Sequence, residues 1–101
     1  MYQYKAKVRR VVDGDTVDFD VDLGFGVLIR LRGRLTDVDT PERGHQDWAK
    51  ATEMLESLLK EQEDKNGYVT IMTEKTGKYG RWLVGIEGVN NILAKEWPYE
   101  R

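Results

Sequence analysis

A chain of 101 residues and 11.7 kDa has room for one domain around one small core, so residues 1–101 are expected to form a single unit. A composition that is 40% hydrophobic and 34% charged excludes a disordered chain, and no apolar run is long enough to span a bilayer. The absence of cysteine excludes disulfides and thiolate metal centres, and the net charge of −2 argues against a tight, nonspecific duplex binder.

The start, Met1-Tyr2-Gln3-Tyr4-Lys5, lacks the apolar stretch of a signal peptide, which makes a cytoplasmic location the expectation. Tyr4 to Val12 reads as a first strand, with Ala6 and Val8 on one face and Lys5, Lys7 and Arg9 on the other. Val17, Phe19, Val21 and Leu23 then alternate strictly with Asp18, Asp20 and Asp22, the clearest strand pattern in the chain. Gly24-Phe25-Gly26 is a turn, after which Val27, Ile29 and Leu31 alternate with Leu28, Arg30 and Arg32. A hairpin closing symmetrically about Phe25 would set Asp20 opposite Arg30 and Asp18 opposite Arg32, as register-setting ion pairs on a solvated face. Position 15 then falls near Leu35, and the chain carrying Asp39, read as the end of the adjacent strand, passes close by. Phe25 itself, at the tip, is placed for stacking on a base.

Asp47 is a helix N-cap candidate, and Trp48, Ala51, Leu55, Leu58 and Leu59 form one stripe at helical spacing. Asn66-Gly67 closes that segment. Tyr68 to Thr73 and Arg81 to Glu87 read as a fourth and fifth strand, and Val89 to Glu96 as a short helix that Pro98 prevents from continuing. Trp48, Trp82 and Trp97 read as anchors at the edge of the core, and His45 as a solvated loop residue. Three strands, a helix, two strands and a short helix is the order of an α+β barrel of the oligonucleotide/oligosaccharide-binding (OB) kind.

Three short motifs carry chemistry. Asp15 lies in Val12-Asp13-Gly14-Asp15-Thr16-Val17, Asp39 in Arg34-Leu35-Thr36-Asp37-Val38-Asp39-Thr40-Pro41-Glu42, and Arg81 in Lys78-Tyr79-Gly80-Arg81. Two carboxylates suit a hard cation that prefers oxygen, and no imidazole or thiolate points to a softer one. Two arginines suit a phosphate, because the planar fork matches its oxygens and stays charged. A glutamate beside them can hold and deprotonate water. Each motif also has a plainer reading. Asp13-Gly14 is a turn signal, Thr40-Pro41 starts helices in many proteins, and Arg34 could merely extend the Arg30 and Arg32 ladder. Plain alternation places Arg34 opposite Leu35 and Asp39, so a bend at Gly33 is expected to bring it to the site.

In combination and order, from about Tyr4 to Leu93, these motifs resemble the staphylococcal-nuclease-like (thermonuclease) family. The resemblance implies a closed five-stranded OB barrel and calcium-dependent hydrolysis of DNA and RNA to 3′-phosphate products. It implies Asp15, Asp39 and the Thr40 carbonyl as calcium ligands, Arg34 and Arg81 on the scissile phosphate, and Glu42 activating or orienting water. Lys78 and Tyr79 match positions that contact a neighbouring phosphate. The chain departs from the pattern in a shorter segment after Glu42 and in stopping at Arg101, an end that a second copy or a partner could cover. A nucleic-acid partner and no membrane are the expectation. Two rivals stand beside the nuclease: an OB module that binds single strands without cutting, and a calcium-stabilised structural domain. The second leaves both arginines without a purpose.

Overall fold

The alternation along the second strand determines how the sheet closes. In a computed structural model that describes residues 2–74 and 81–98, Val17, Phe19 and Val21 are buried while Asp18, Asp20 and Asp22 lie on the outer face of β2 (Thr16–Asp22). Its partner β3 (Leu28–Leu35) runs antiparallel in an unbroken register from Thr16↔Arg34 to Asp22↔Leu28. The turn is symmetric about Phe25, as the charge pattern predicts. Gly24, Phe25 and Gly26 all adopt positive φ (84°, 55° and 75°), a conformation easy for the glycines and strained for the phenylalanine. Phe25 points fully into solvent.

The first strand is longer than expected. β1 (Tyr2–Asp13) pairs with β2 along its second half and with β4 (Val69–Thr73) along its first. Register shifts between Val8 and Arg10 and between Val11 and Asp13 bend it around the barrel. β5 (Trp82–Gly85) lies antiparallel to β4 and parallel to β3, so the order β1-β2-β3-β5-β4 closes on itself. Helix α1 (Trp48–Gln62) connects β3 to β4, and α2 (Asn90–Glu96) follows β5. The result is a five-stranded OB-like barrel with two helices: the order of elements is the one read from the sequence, and the closure is what the resemblance implies.

The core joins Ala6, Val17, Phe19 and Val21 to Leu35, Ile71 and Val84 inside the barrel, with Leu55, Leu58 and Leu59 of α1 and Leu93 of α2 packed against it. The helical stripe holds, and Thr52 joins it by bonding its hydroxyl to the Trp48 carbonyl. Asp47 occupies the N-cap position but makes no side-chain cap bond. No helix among the described residues is long and apolar enough to cross a membrane.

Two expectations need correction. No bulge occurs at Gly33, because the β2–β3 register is continuous there. Glycine is needed instead for close packing: a Cβ at position 33 would lie 2.6 Å from Val84 Cγ2 and 3.3 Å from Phe19 Cε2. Trp82 is not a core anchor; it stands at the first position of β5 and is 40% exposed. Trp97 does pack against the core, and Trp48 is half-buried.

Candidate active site

The site is assembled where three chain segments meet at one end of the barrel. The first is the tight Gly14-Asp15 turn between β1 and β2. The Asp15 carbonyl accepts from Leu35 N (2.8 Å), one step past the Thr16↔Arg34 pair, so the turn is stitched to the end of β3. On its other side the turn presses against α1 and Thr40. A Cβ on Gly14 would come within 2.8 Å of Ala51 Cβ and of Thr40 Oγ1. Asp15 is almost entirely buried, so its carboxylate must be satisfied internally. Oδ1 accepts from the Thr16 hydroxyl (3.0 Å) and Oδ2 from the Thr40 backbone N–H (3.2 Å).

The second segment follows β3. Asp39 does not end that strand: the chain turns at Thr36-Asp37, where Asp37 adopts φ 64°, and Val38 is pinned in the core. The loop is then held from the far end of the molecule, by the Val38↔Pro98 bridge and by Asp39 N donating to Trp97 O (2.9 Å). This detour settles the Arg34 problem without a bulge. Arg34 stays on the outer face, and the chain carrying Asp39 comes round to it. One guanidinium nitrogen, Nη2, lies 3.5 Å from both Asp15 Oδ2 and Asp39 Oδ1, while Nη1 donates to Leu35 O (3.1 Å). Thr40-Pro41 begins no helix, so the helix-start reading of that pair falls; α1 starts at Trp48.

Arg81, just before β5, is the third contribution. Asp15, Arg34, Asp39, Thr40, Glu42 and Arg81 all line one small cleft of about 110 Å³, together with Asp13, Thr16 and Pro41. The remaining two predicted positions, Lys78 and Tyr79, lie outside the described residues. His45 is in an exposed loop, its Nδ1 accepting from Asp47 N (3.0 Å), which agrees with the solvated reading.

Trp48 has a role that its place on the apolar stripe does not disclose. Its indole N–H donates to Asp13 Oδ1 at 2.8 Å, and the Arg43 guanidinium lies 5.0 Å from the ring centre. The first turn of α1 thus grips the residue two before Asp15. The only hint in the sequence is that a half-buried tryptophan N–H needs an acceptor.

No family model matches the chain. It is 31% identical over 99 residues to the protein called ParB of Escherichia coli, an alignment taking in 98% of this chain and 50% of that protein. It is 32% identical over 112 residues to a micrococcal nuclease of Shigella flexneri, covering 95% of this chain and 59% of the relative. The chain therefore spans about half the length of the curated relatives it matches. With the closed five-stranded barrel, the second similarity supports a staphylococcal-nuclease-like variant of the OB fold.

Among the described residues, no three His, Cys, Asp or Glu side chains gather closely enough to hold a metal by themselves. A cation here would have to complete its shell with backbone carbonyls and water. Two features fit that demand. The donors are all oxygen, and Thr40 Oγ1 is buried with no hydrogen-bond partner among the described residues. The carboxylate oxygens of Asp15 and Asp39, each 3.5 Å from the same nitrogen, lie no more than twice that distance apart. Two oxygens on one calcium are separated by at most about 5 Å, so a small closing movement would bring both into its shell.

Proposed function

We propose that this chain is a calcium-dependent nuclease that hydrolyses phosphodiester bonds of DNA or RNA and leaves 3′-phosphate ends. The observation that carries the proposal is the convergence of Asp15, Arg34, Asp39, Glu42 and Arg81, from three distant segments, on one cleft. Packing alone gives no reason for that convergence. The similarity to a protein named for nuclease activity points the same way.

In this reading Asp15, Asp39 and the Thr40 carbonyl would hold the cation, which would supply Lewis-acid chemistry at a phosphate oxygen. Glu42, exposed at the cleft rim, holds a water and takes its proton as the oxygen forms its bond to phosphorus. The bond from phosphorus to the 5′ oxygen breaks opposite the new one, and that oxygen takes a proton from solvent. Arg34 and Arg81 face the charge that builds on the non-bridging oxygens at five-coordinate phosphorus. Buried Asp15 fixes the geometry, since its two oxygens are held by Thr16 and Thr40 before any ligand arrives.

A non-cutting OB module is the second reading, and the arginine-rich outer face of β1–β3 favours it. Single-turnover cleavage of a short oligonucleotide with saturating calcium separates the two. Arg81→Ala is expected to cut on the order of a thousandfold more slowly. Glu42→Gln should cut slowly as well, while still binding a nucleoside 3′,5′-bisphosphate. Equal trace cleavage by the wild type and both variants, with oligonucleotide binding intact, would remove the enzyme reading.

A further inference from the structure

A second cleft, of about 520 Å³, opens on the outer face of the barrel and is lined by Arg9, Arg10, Arg30 and Arg32 with Asp18. Its position follows from register. Arg30, Arg32 and Arg34 are alternate residues of β3 and share a face with Asp20, Asp18 and Thr16 opposite them. The register shift between Val8 and Arg10 then brings two adjacent arginines of β1 to this same face. Arg10 stands opposite Asp18 in the ladder, and Arg9 reaches Asp20 at 3.1 Å.

The ion pairing is unequal. Arg32 takes Asp18 in a two-point contact (2.8 and 3.1 Å), and Arg9 takes Asp20. Arg30, which the sequence pairs with Asp20, stands opposite it in the ladder but forms no ion pair with it. Among the described residues neither Arg10 nor Arg30 forms an ion pair. A solvated ladder needs one arginine per aspartate, and here four meet two. Two guanidinium groups are left facing a concavity whose natural occupant is an anion.

We propose that this cleft is a second phosphate subsite, which takes the backbone of a single-stranded polynucleotide on its way to or from Arg34. The choice of ligand rests on the nuclease reading; the anion site itself does not. Alternate residues of a strand are about 6.6 Å apart, on the scale of the distance between successive phosphates of an extended single strand. Arg34, Arg32 and Arg30 thus offer a row of positions leading away from the candidate active site. At the far end of that row, on the same face, Leu28 is exposed, and Phe25 projects from the tip beyond it. Both give bases an apolar surface once their phosphates pass Arg30.

The test measures binding in chelator, where cleavage plays no part. The variant Arg10→Gln/Arg30→Gln removes the two surplus cations and leaves both ion pairs of the ladder in place. A control, Lys60→Gln/Lys65→Gln, makes the same change in net charge at exposed positions on α1 and beyond it. Fluorescence anisotropy with a single-stranded 12-mer across a salt series gives the affinity and the salt slope. For the 12-mer the arginine variant is expected to bind about tenfold more weakly, with a salt slope shallower by about 1.4, the loss of two single-strand phosphate contacts. A slope no different from that of the lysine control overturns the subsite, as does a wild type that prefers anionic vesicles to the 12-mer. A wild type that never cleaves, yet shows the arginine-dependent slope, keeps the subsite and removes only the nuclease reading.

Discussion

Gly14→Ala asks whether the Asp15 carboxylate is placed by close packing of its turn against α1. A Cβ at position 14 would stand 2.8 Å from Ala51 Cβ, 2.8 Å from Thr40 Oγ1 and 3.0 Å from Thr40 Cβ. Ala51 has no side-chain torsion with which to give way. Thr40 is buried, and its amide is already bonded to Asp15. The turn must therefore back away, by something approaching an ångström. Overpacking of this kind costs about 1–3 kcal/mol. In a domain near 100 residues, a loss of about 2 kcal/mol lowers the melting temperature by roughly 8–16 °C. The displacement acts on Asp15 directly, and a misplacement of about 1 Å at a reacting centre costs on the order of a hundredfold in rate. Thermal melting and single-turnover cleavage read the two effects separately. Adding Ala51→Gly should restore part of both, although glycine within a helix costs about 1 kcal/mol by itself. A favourable coupling in that double-mutant cycle is therefore diagnostic. Gly14→Ala protein that melts within about 2 °C of the wild type and cuts equally fast would refute the packing argument.

Three further outcomes are expected. Calcium should raise the melting temperature, by the equivalent of about 2.7 kcal/mol at a hundredfold excess over the dissociation constant, and Asp39→Ala should abolish the shift; an unchanged shift in that variant places the cation elsewhere. A chain ending at Glu96 loses the Trp97 carbonyl that holds Asp39 and the Pro98 bridge to Val38, so cleavage and the calcium response should fall together; a stable truncated protein with full activity contradicts the role given to that segment. The hydrogen bond and charge of Arg32 hold the Asp18 carboxyl below its ordinary range, so its contribution is complete above the ordinary carboxylate value and disappears as pH falls through the lowered one. Asp18→Asn should thus cost stability near neutrality, by at most about 1 kcal/mol for so exposed a pair, and the two stability curves should converge in acid; curves that stay parallel would show that the pair contributes nothing.

The strands were readable because their patterns are local. Strict alternation in β2 and the charge match across the hairpin fix the register from Thr16 to Arg34, and α1 announces itself by its stripe. What could not be read is what depends on contacts across the fold. Gly33 is required by Val84, fifty-one positions away in the chain, and only the three-dimensional packing shows that it serves an approach rather than a bulge. Asp39 looked like the last residue of a strand, yet its placement depends on Trp97 and Pro98, which signal nothing more than the end of a helix. Arg30 was paired correctly by register and wrongly by charge: it is Arg9 of β1 that takes Asp20.

The charges of the two clefts bear on the acidic balance of the chain. The candidate active site carries Asp13, Asp15, Asp39 and Glu42 against Arg34 and Arg81, an excess of two negative charges. By itself such a cleft repels a phosphodiester. One divalent cation would cancel the excess and leave both arginines to act on the substrate, so on this reading cation and nucleic acid each favour the binding of the other, by the same factor. The outer cleft has the opposite balance, with two guanidinium groups beyond what its aspartates neutralise, and can hold a phosphate with no cation at all. A net charge of −2 is then compatible with a nucleic-acid ligand. Four of the acidic side chains lie where a cation would offset part of their charge, and surplus positive charge lies along the path the strand would take.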